Sequence, residues 1–231
     1  MDLKKLDKDD REILAKKFVE EVVLPQWKQL NNWNSLTNQT SQLDFGYLSQ
    51  HLVTILSGIK GNNQRGKGDD LEDGSEVKSA SCIDAEDTPR WNGVNCGART
   101  EADIIAKMNS FPYLFFVLLD TTEKGGNILR CRVWCVRPSI DTAFRDVLIG
   151  WAKDNDKLVV AGKKSKTNLQ LHPPRWEKAA GNLTTNLEGN LKLPLVYESQ
   201  QMDLPGILVM KTILFNEDKI NTGLSEAVAR I

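Results

Sequence analysis

Apolar positions along the 231-residue chain change their spacing several times, and each change predicts an element. Ile13, Leu14, Phe18 and Val22 recur at helical spacing over 9–24, with acidic residues at the start and Pro25 ending the pattern. A polar Asn/Gln/Thr stretch over 31–42 leads to a second predicted helix over 45–56, closed by Gly58. The period then shortens. Asp73-Gly74 predicts a hairpin turn with 76–79 as its outgoing strand. After an irregular segment over 82–97, Thr100 caps a short helix to about 109, with Asp103 three residues on. "YLFFVLLD" (113–120) is continuously apolar, as a strand covered on both faces must be, whereas "NILRCRVWCV" (127–136), after a Gly125-Gly126 turn, alternates. Ser139 then caps a helix to about 155 that carries Phe144, Leu148 and Trp151 on one face. The short apolar runs "LVVAG", "LPLVY" and "ILVMKTILF" read as later strands. Helices, a hairpin, central strands and a further helix predict one α/β layered domain over 1–231, with a central mixed β-sheet flanked by helices.

Composition narrows the class. With 40% hydrophobic and 26% charged residues the chain has the balance of a soluble globular protein, and no run approaches the ~18 apolar residues of a membrane span. The start, "MDLKKLDKDDRE", has no apolar signal region. Cys82, Cys96, Cys131 and Cys135 are too few and too scattered for a disulfide scaffold, so a cytoplasmic protein with reduced thiols is expected. Cys131 and Cys135 share a strand face but lie about 13 Å apart at ~3.3 Å per residue. That is too far for one zinc ion, so they read as buried thiols. A net charge of −1 excludes a uniformly basic surface but leaves room for a local basic groove.

The densest chemistry lies in "GDDLEDGSEVKSA" (68–80), where Asp69, Asp70, Glu72, Asp73 and Glu76 crowd ahead of Lys78. Like charges this close are left to water or held by something positive. Glu76 and Lys78, two apart on a strand, share a face. A two-residue Asp73-Gly74 loop would put Asp69 on that face, whereas a three-residue Glu72-Asp73-Gly74 loop pairs Asp70 with Glu76. A glycine at the third loop position favours the second, which selects Asp70. Two carboxylates and one ammonium at such a mouth suit Mg²⁺, which takes one or two carboxylates and completes its octahedron with water and substrate phosphate. The plain alternative is a solvated acidic turn beside an ordinary Glu/Lys strand pair.

These residues resemble the active-site hairpin of PD-(D/E)XK nucleases, and "DG" ahead of "EVKS" is similar to the form found in type II restriction endonucleases. "DTPRWN" (87–92) resembles segments that follow the motif in some of those enzymes. The resemblance covers residues 66–92 and implies a PD-(D/E)XK nuclease-like core. It also implies catalytic Asp70, Glu76 and Lys78, with Asp70 and Glu76 as the metal ligands. Asp70 precedes Glu76 by only six residues, closer than is usual in that superfamily. A glutamate of the first helix, Glu20 or Glu21, sometimes assists in such folds.

Cleaving a duplex needs phosphate contacts for affinity and base contacts for sequence choice. "KGNNQRGKG" (60–68) offers Lys60, Arg65 and Lys67 to phosphate. Lys163, Lys164 and Lys166 form a second cluster, within a part of the chain (157–231) that reads as a DNA-contacting subregion. Arg90 and Asn92 fit guanine and adenine edges respectively, with Trp91 between them to stack or to anchor; His172 and Arg175 form a weaker pair. The expected protein is a Mg²⁺-dependent, sequence-specific double-stranded DNA endonuclease that leaves 5′-phosphates and works as a homodimer on a palindromic site. Two alternatives share part of this chemistry: a repair or recombination nuclease of the same superfamily, and a non-catalytic DNA-binding protein. Substituting Glu76 or Lys78 separates a nuclease, which loses cutting and keeps binding, from a binder.

Overall fold

The computed structural model describes residues 2–39, 43–63, 69–83, 90–92, 101–121, 129–163, 170–172, 182–185, 190–192, 195–204 and 207–213. The helices are α1 (Lys8–Phe18), α2 (Leu24–Thr37), α3 (Phe45–Ser57), α4 (Glu101–Ser110) and α5 (Thr142–Val160). Strands β1 (Glu76–Ile83), β2 (Trp91–Asn92), β3 (Leu114–Thr121), β4 (Leu129–Val136) and β5 (Gln170–His172) precede four later ones. Those are β6 (Asn182–Thr185), β7 (Asn190–Lys192), β8 (Leu195–Leu204) and β9 (Ile207–Ile213).

Five strands make the main sheet in the order β1-β3-β4-β8-β9, and β2-β5-β6-β7 make a smaller one. Strand β1 runs parallel to β3, and the other neighbours in the main sheet are antiparallel, so the sheet is mixed. The parallel pair needs a crossover, which the chain supplies through β2 and α4.

Alternation along the strands builds two cores. Phe115, Val117 and Leu119 point with Val77, Val133 and Tyr197 toward Ala15, Val19, Leu52 and Val53 of the first helices. Leu114, Phe116, Leu118, Trp134 and Val136 point the other way, onto Ile104, Met108, Phe144, Leu148 and Trp151 of α4 and α5. The expected layering of helices on both faces of a mixed sheet is what the chain adopts. Cys131 and Cys135 are buried free thiols on the first of these faces, and burial raises both well above the ordinary thiol range.

Four expectations change. Pro25 does not end the first helix; the chain turns through a π-helical segment, Val19–Val23, and continues helical through α2 to Thr37. The wider turn closes with Leu24 N–H donating to the Val19 carbonyl, and Pro25, which has no N–H to give, sits at the start of the next segment. The "LVVAG" run is the end of α5 rather than a strand, stopped by Gly162 at φ 69°. The α5 helix also begins at Thr142 rather than beside Ser139, with the Asp141 carboxylate accepting from Arg137 N–H at 2.7 Å. Strand β4 is buried at every position despite its alternating sequence, because Arg130 and Arg132 are buried against Asp120.

Candidate active site

The acidic segment is a tight loop seated on the edge of the sheet. Leu71 is fully buried, its N–H donates to the Ser75 carbonyl at 3.1 Å, and Glu72-Asp73-Gly74 form the three-residue loop between them. Gly74 takes φ 90°, which a side chain would resist. The ingoing arm differs from a simple hairpin. It forms a single antiparallel bridge, Leu71 to Gly61, while the outgoing strand β1 spends its ladder on β3 with Glu76 beside Leu114. A parallel ladder with the apolar β3 offers far more buried contact than a second arm two residues long.

The carboxylates of the loop stand in different surroundings. Asp73 closes the turn, accepting from Ser75 N–H and Ser75 Oγ, both at 2.9 Å. Ser75 Oγ in turn accepts from Tyr113 N–H at 3.2 Å, and Glu76 N–H donates to the Tyr113 carbonyl at 3.1 Å, which fixes the start of β1 against β3. Asp69 and Glu72 face water. Asp70 and Glu76 are half-buried and turned toward Lys78.

Asp70 is held on both oxygens. Its Oδ2 accepts from Val77 N–H at 2.8 Å, and its Oδ1 accepts from Gln50 Nε2 at 2.6 Å. Burial pushes its carboxyl above the ordinary aspartate value; the Val77 N–H and Lys78 oppose that shift, and Glu76 and Asp69 add to it. Its backbone is clamped as well. Asn62 Nδ2 donates to the Asp69 and Leu71 carbonyls at 2.7 and 3.0 Å, and Asn62 N–H donates to the Asp70 carbonyl at 3.1 Å. Lys78 Nζ forms a close ion pair with Glu76 Oε1.

Asp70, Glu76 and Lys78 are thus brought together at the N-terminal end of β1. Exposed Lys60 stands beside them, its carbonyl accepting from Glu72 N–H at 2.9 Å. The other predicted contacts lie on other elements. Arg90 is exposed next to Trp91, which is buried and donates through Nε1 to the Val117 carbonyl at 2.9 Å, so the tryptophan anchors the segment. Asn92 follows in β2, its side chain outside the described residues, and Lys163 is exposed just past α5. Arg65, Lys67, Lys164, Lys166 and Arg175 lie outside the described residues. Glu20 and Glu21 pair along their own helix with Lys16 and Lys17 at 3.9 and 3.8 Å, and the helical side chain that reaches Asp70 is Gln50 of α3.

The donor set fits a hard divalent cation of the magnesium type. Two carboxylates outnumber one ammonium, both are oxygen donors, and each Asp70 oxygen keeps a lone pair beyond its hydrogen bond. No group of three or more His, Cys, Asp or Glu side chains is placed to hold a metal among the described residues, so a softer, ligand-rich site is not present there.

The family model for the MamI restriction endonuclease matches residues 32–211, which covers the acidic loop, α3, α4, α5 and the main sheet into β9. The chain belongs to this family. A relative, the type II restriction enzyme MamI of Microbacterium ammoniaphilum, is 35% identical over 161 residues, 64% of this chain and 49% of the relative. The chain therefore spans about half the length of the curated relative it matches. No solved structure matches it. The match reaches well beyond residues 66–92, the part whose motif resembles a nuclease hairpin.

Gln50 and Asn62 are the site residues that sequence reasoning passed over. Asn62 lies in the polar loop ahead of the acidic run and Gln50 further upstream on α3, and only the docking of α3 on the sheet and the Gly61–Leu71 bridge bring them to the Asp70 segment. No helix of the described residues is long and apolar enough to cross a membrane.

Proposed function

We propose that the chain is a Mg²⁺-dependent endonuclease that hydrolyses phosphodiesters of double-stranded DNA at a specific sequence and leaves 5′-phosphate and 3′-hydroxyl ends. The observation that carries this reading is the meeting of Asp70, Glu76 and Lys78 at one strand end in a chain of a restriction endonuclease family.

Asp70 and Glu76 are the metal ligands. When bound, the divalent cation supplies positive charge to the scissile phosphate and acidifies a coordinated water. Lys78 orients the attacking water and offsets the charge that grows on the phosphate oxygens. Water oxygen bonds to phosphorus, the P–O3′ bond breaks, and the leaving oxygen takes up a proton. Lys60, Arg65, Lys67, Lys163, Lys164 and Lys166 contact the DNA backbone, and Arg90 and Asn92 read base edges. A palindromic site would be met by two copies related by a two-fold axis, which makes a homodimer the working form. The half-burial of Asp70 and Glu76 beside β1 supports this assignment, since a merely solvated turn would leave both in water.

The test is to incubate the purified protein with long DNA of known sequence, with and without Mg²⁺, and to map every end. Discrete fragments sharing one short sequence, formed only with metal, are expected. Diffuse degradation would move the activity to repair or recombination. Metal-independent DNA binding without cutting would overturn the catalytic reading.

A further inference from the structure

Asp70 is fixed by more than its own loop, and the extra contact comes from a helix with a rigid seat. Gln50 lies on α3 between Ser49 and the pair Leu52 and Val53, all three buried at 0–2% exposure. An ionised carboxylate only accepts hydrogen bonds, so the Gln50 amide must present its nitrogen, and it does so at 2.6 Å. The Val77 N–H already holds the second Asp70 oxygen, which leaves two degrees of freedom removed from one short side chain.

The loop has other anchors besides this contact. Buried Leu71, the Asn62 clamp, the Ser75–Asp73 turn and the Ser75–Tyr113 bond all fix the loop backbone, whereas Gln50 reaches the Asp70 carboxylate itself. With the Val77 N–H on one oxygen, the Gln50 amide on the other completes the setting of the Asp70 carboxylate's rotation, and hence of where its remaining lone pairs point.

We infer that Gln50 is a positioning residue of the metal site: it turns Asp70 toward the cation from a helix that does not itself supply a charge. The inference rests on the reading of Asp70 as a metal ligand. A neutral amide suits the task, since it leaves the net charge of the site untouched. Partners of this kind behind a metal ligand are worth about 10–100-fold in affinity or activity.

The experiment titrates the metal-free 231-residue chain with Mn²⁺ and counts free Mn²⁺ by electron paramagnetic resonance. It uses wild type, Gln50→Met and Glu76→Gln. Methionine keeps the length of glutamine and removes the donor; Gln50→Ala replaces it if the methionine variant does not melt cooperatively. Expected is Mn²⁺ binding weakened about 10–100-fold in Gln50→Met, with DNA affinity in the absence of metal unchanged. Wild-type Mn²⁺ affinity in Gln50→Met, alongside a loss in Glu76→Gln, would overturn the role of Gln50 alone. Retention in both variants would overturn the site reading, and this inference with it.

Discussion

One face of the main sheet carries a charge cluster at each end, and the two are built on opposite terms. At the start of β1, Asp70 and Glu76 meet a single cation, Lys78. Six residues further along β1, roughly 20 Å away at ~3.3 Å per residue, Cys82 lies opposite Asp120. There Arg130 and Arg132 meet Asp120 at 2.5 and 3.6 Å, with Glu198 acting on Arg132 from β8. The first cluster has one carboxylate more than its cations; the second has two of each. Exposure separates them too: the Lys78 and Glu76 side chains keep 28% and 17%, whereas those of Arg130 and Asp120 keep 4% and 0%. A matched, dry cluster has nothing left to offer a ligand. An unmatched, half-wet one has a charge to satisfy and a path by which to satisfy it.

Breaking the open end should abolish chemistry and spare the fold. Lys78→Ala and Glu76→Gln are each expected to lower the cleavage rate by about 10²–10⁴-fold, with melting temperature and metal-free DNA binding little changed. Single-turnover cleavage set beside a binding titration reads this. Wild-type cleavage rates in both variants would dissolve the contrast.

Breaking the closed end should do the reverse. Asp120→Ala removes the carboxylate that Arg130 and Arg132 share in the core, and removing one partner of a buried ion pair costs about 3–5 kcal/mol. Denaturant unfolding is the measurement, and protein that remains folded should still cut. Burial already lowers the Arg132 pKa, with Asp120 opposing the shift, so losing Asp120 removes the chief opposing charge.

Asp70 links charge to pH in the metal-free protein. Its folded pKa is raised above the ordinary value of 3.8, chiefly by burial, so between the two values the folded state binds more protons than the unfolded chain. Its contribution to stability is therefore fully present below 3.8 and is lost as pH rises through the higher folded value. Asp70→Asn should flatten that part of the melting-temperature profile and lose metal-dependent cutting. An unchanged slope would mean that Asp70 is not desolvated.

The smallest effect is expected at exposed Lys60. Lys60→Ala should reduce the dependence of log K on log salt by about one unit and leave the cut sequence as it was. A changed cut sequence would make Lys60 a base reader instead.

Much of this contrast could be read from the chain, and the limits are physical. The apolar run at 113–120, the alternating positions of β4 and the left-handed residue at Gly74 depend on near neighbours, and they told where strands and the turn lie. The Glu76–Lys78 pair needed only the two-residue strand period. What escaped depends on partners distant in sequence. Asp120 and Arg130 look like ordinary strand ends until β3 and β4 pair, and Gln50 looks like a surface glutamine until α3 docks. Pro25 misled because a π-helical turn, invisible to a 3.6-residue period, lets the helix pass it.

The most direct test of where the cation goes does not depend on cleavage of DNA. The protein is loaded with Fe²⁺ in place of Mg²⁺, exposed to ascorbate and peroxide, and its fragments are sequenced, since hydroxyl radicals cut the backbone close to the bound iron. The account predicts scission within residues 69–78, suppressed by added Mg²⁺ and absent in Glu76→Gln. Scission around residues 120–132, or a pattern that Mg²⁺ does not suppress, would contradict it.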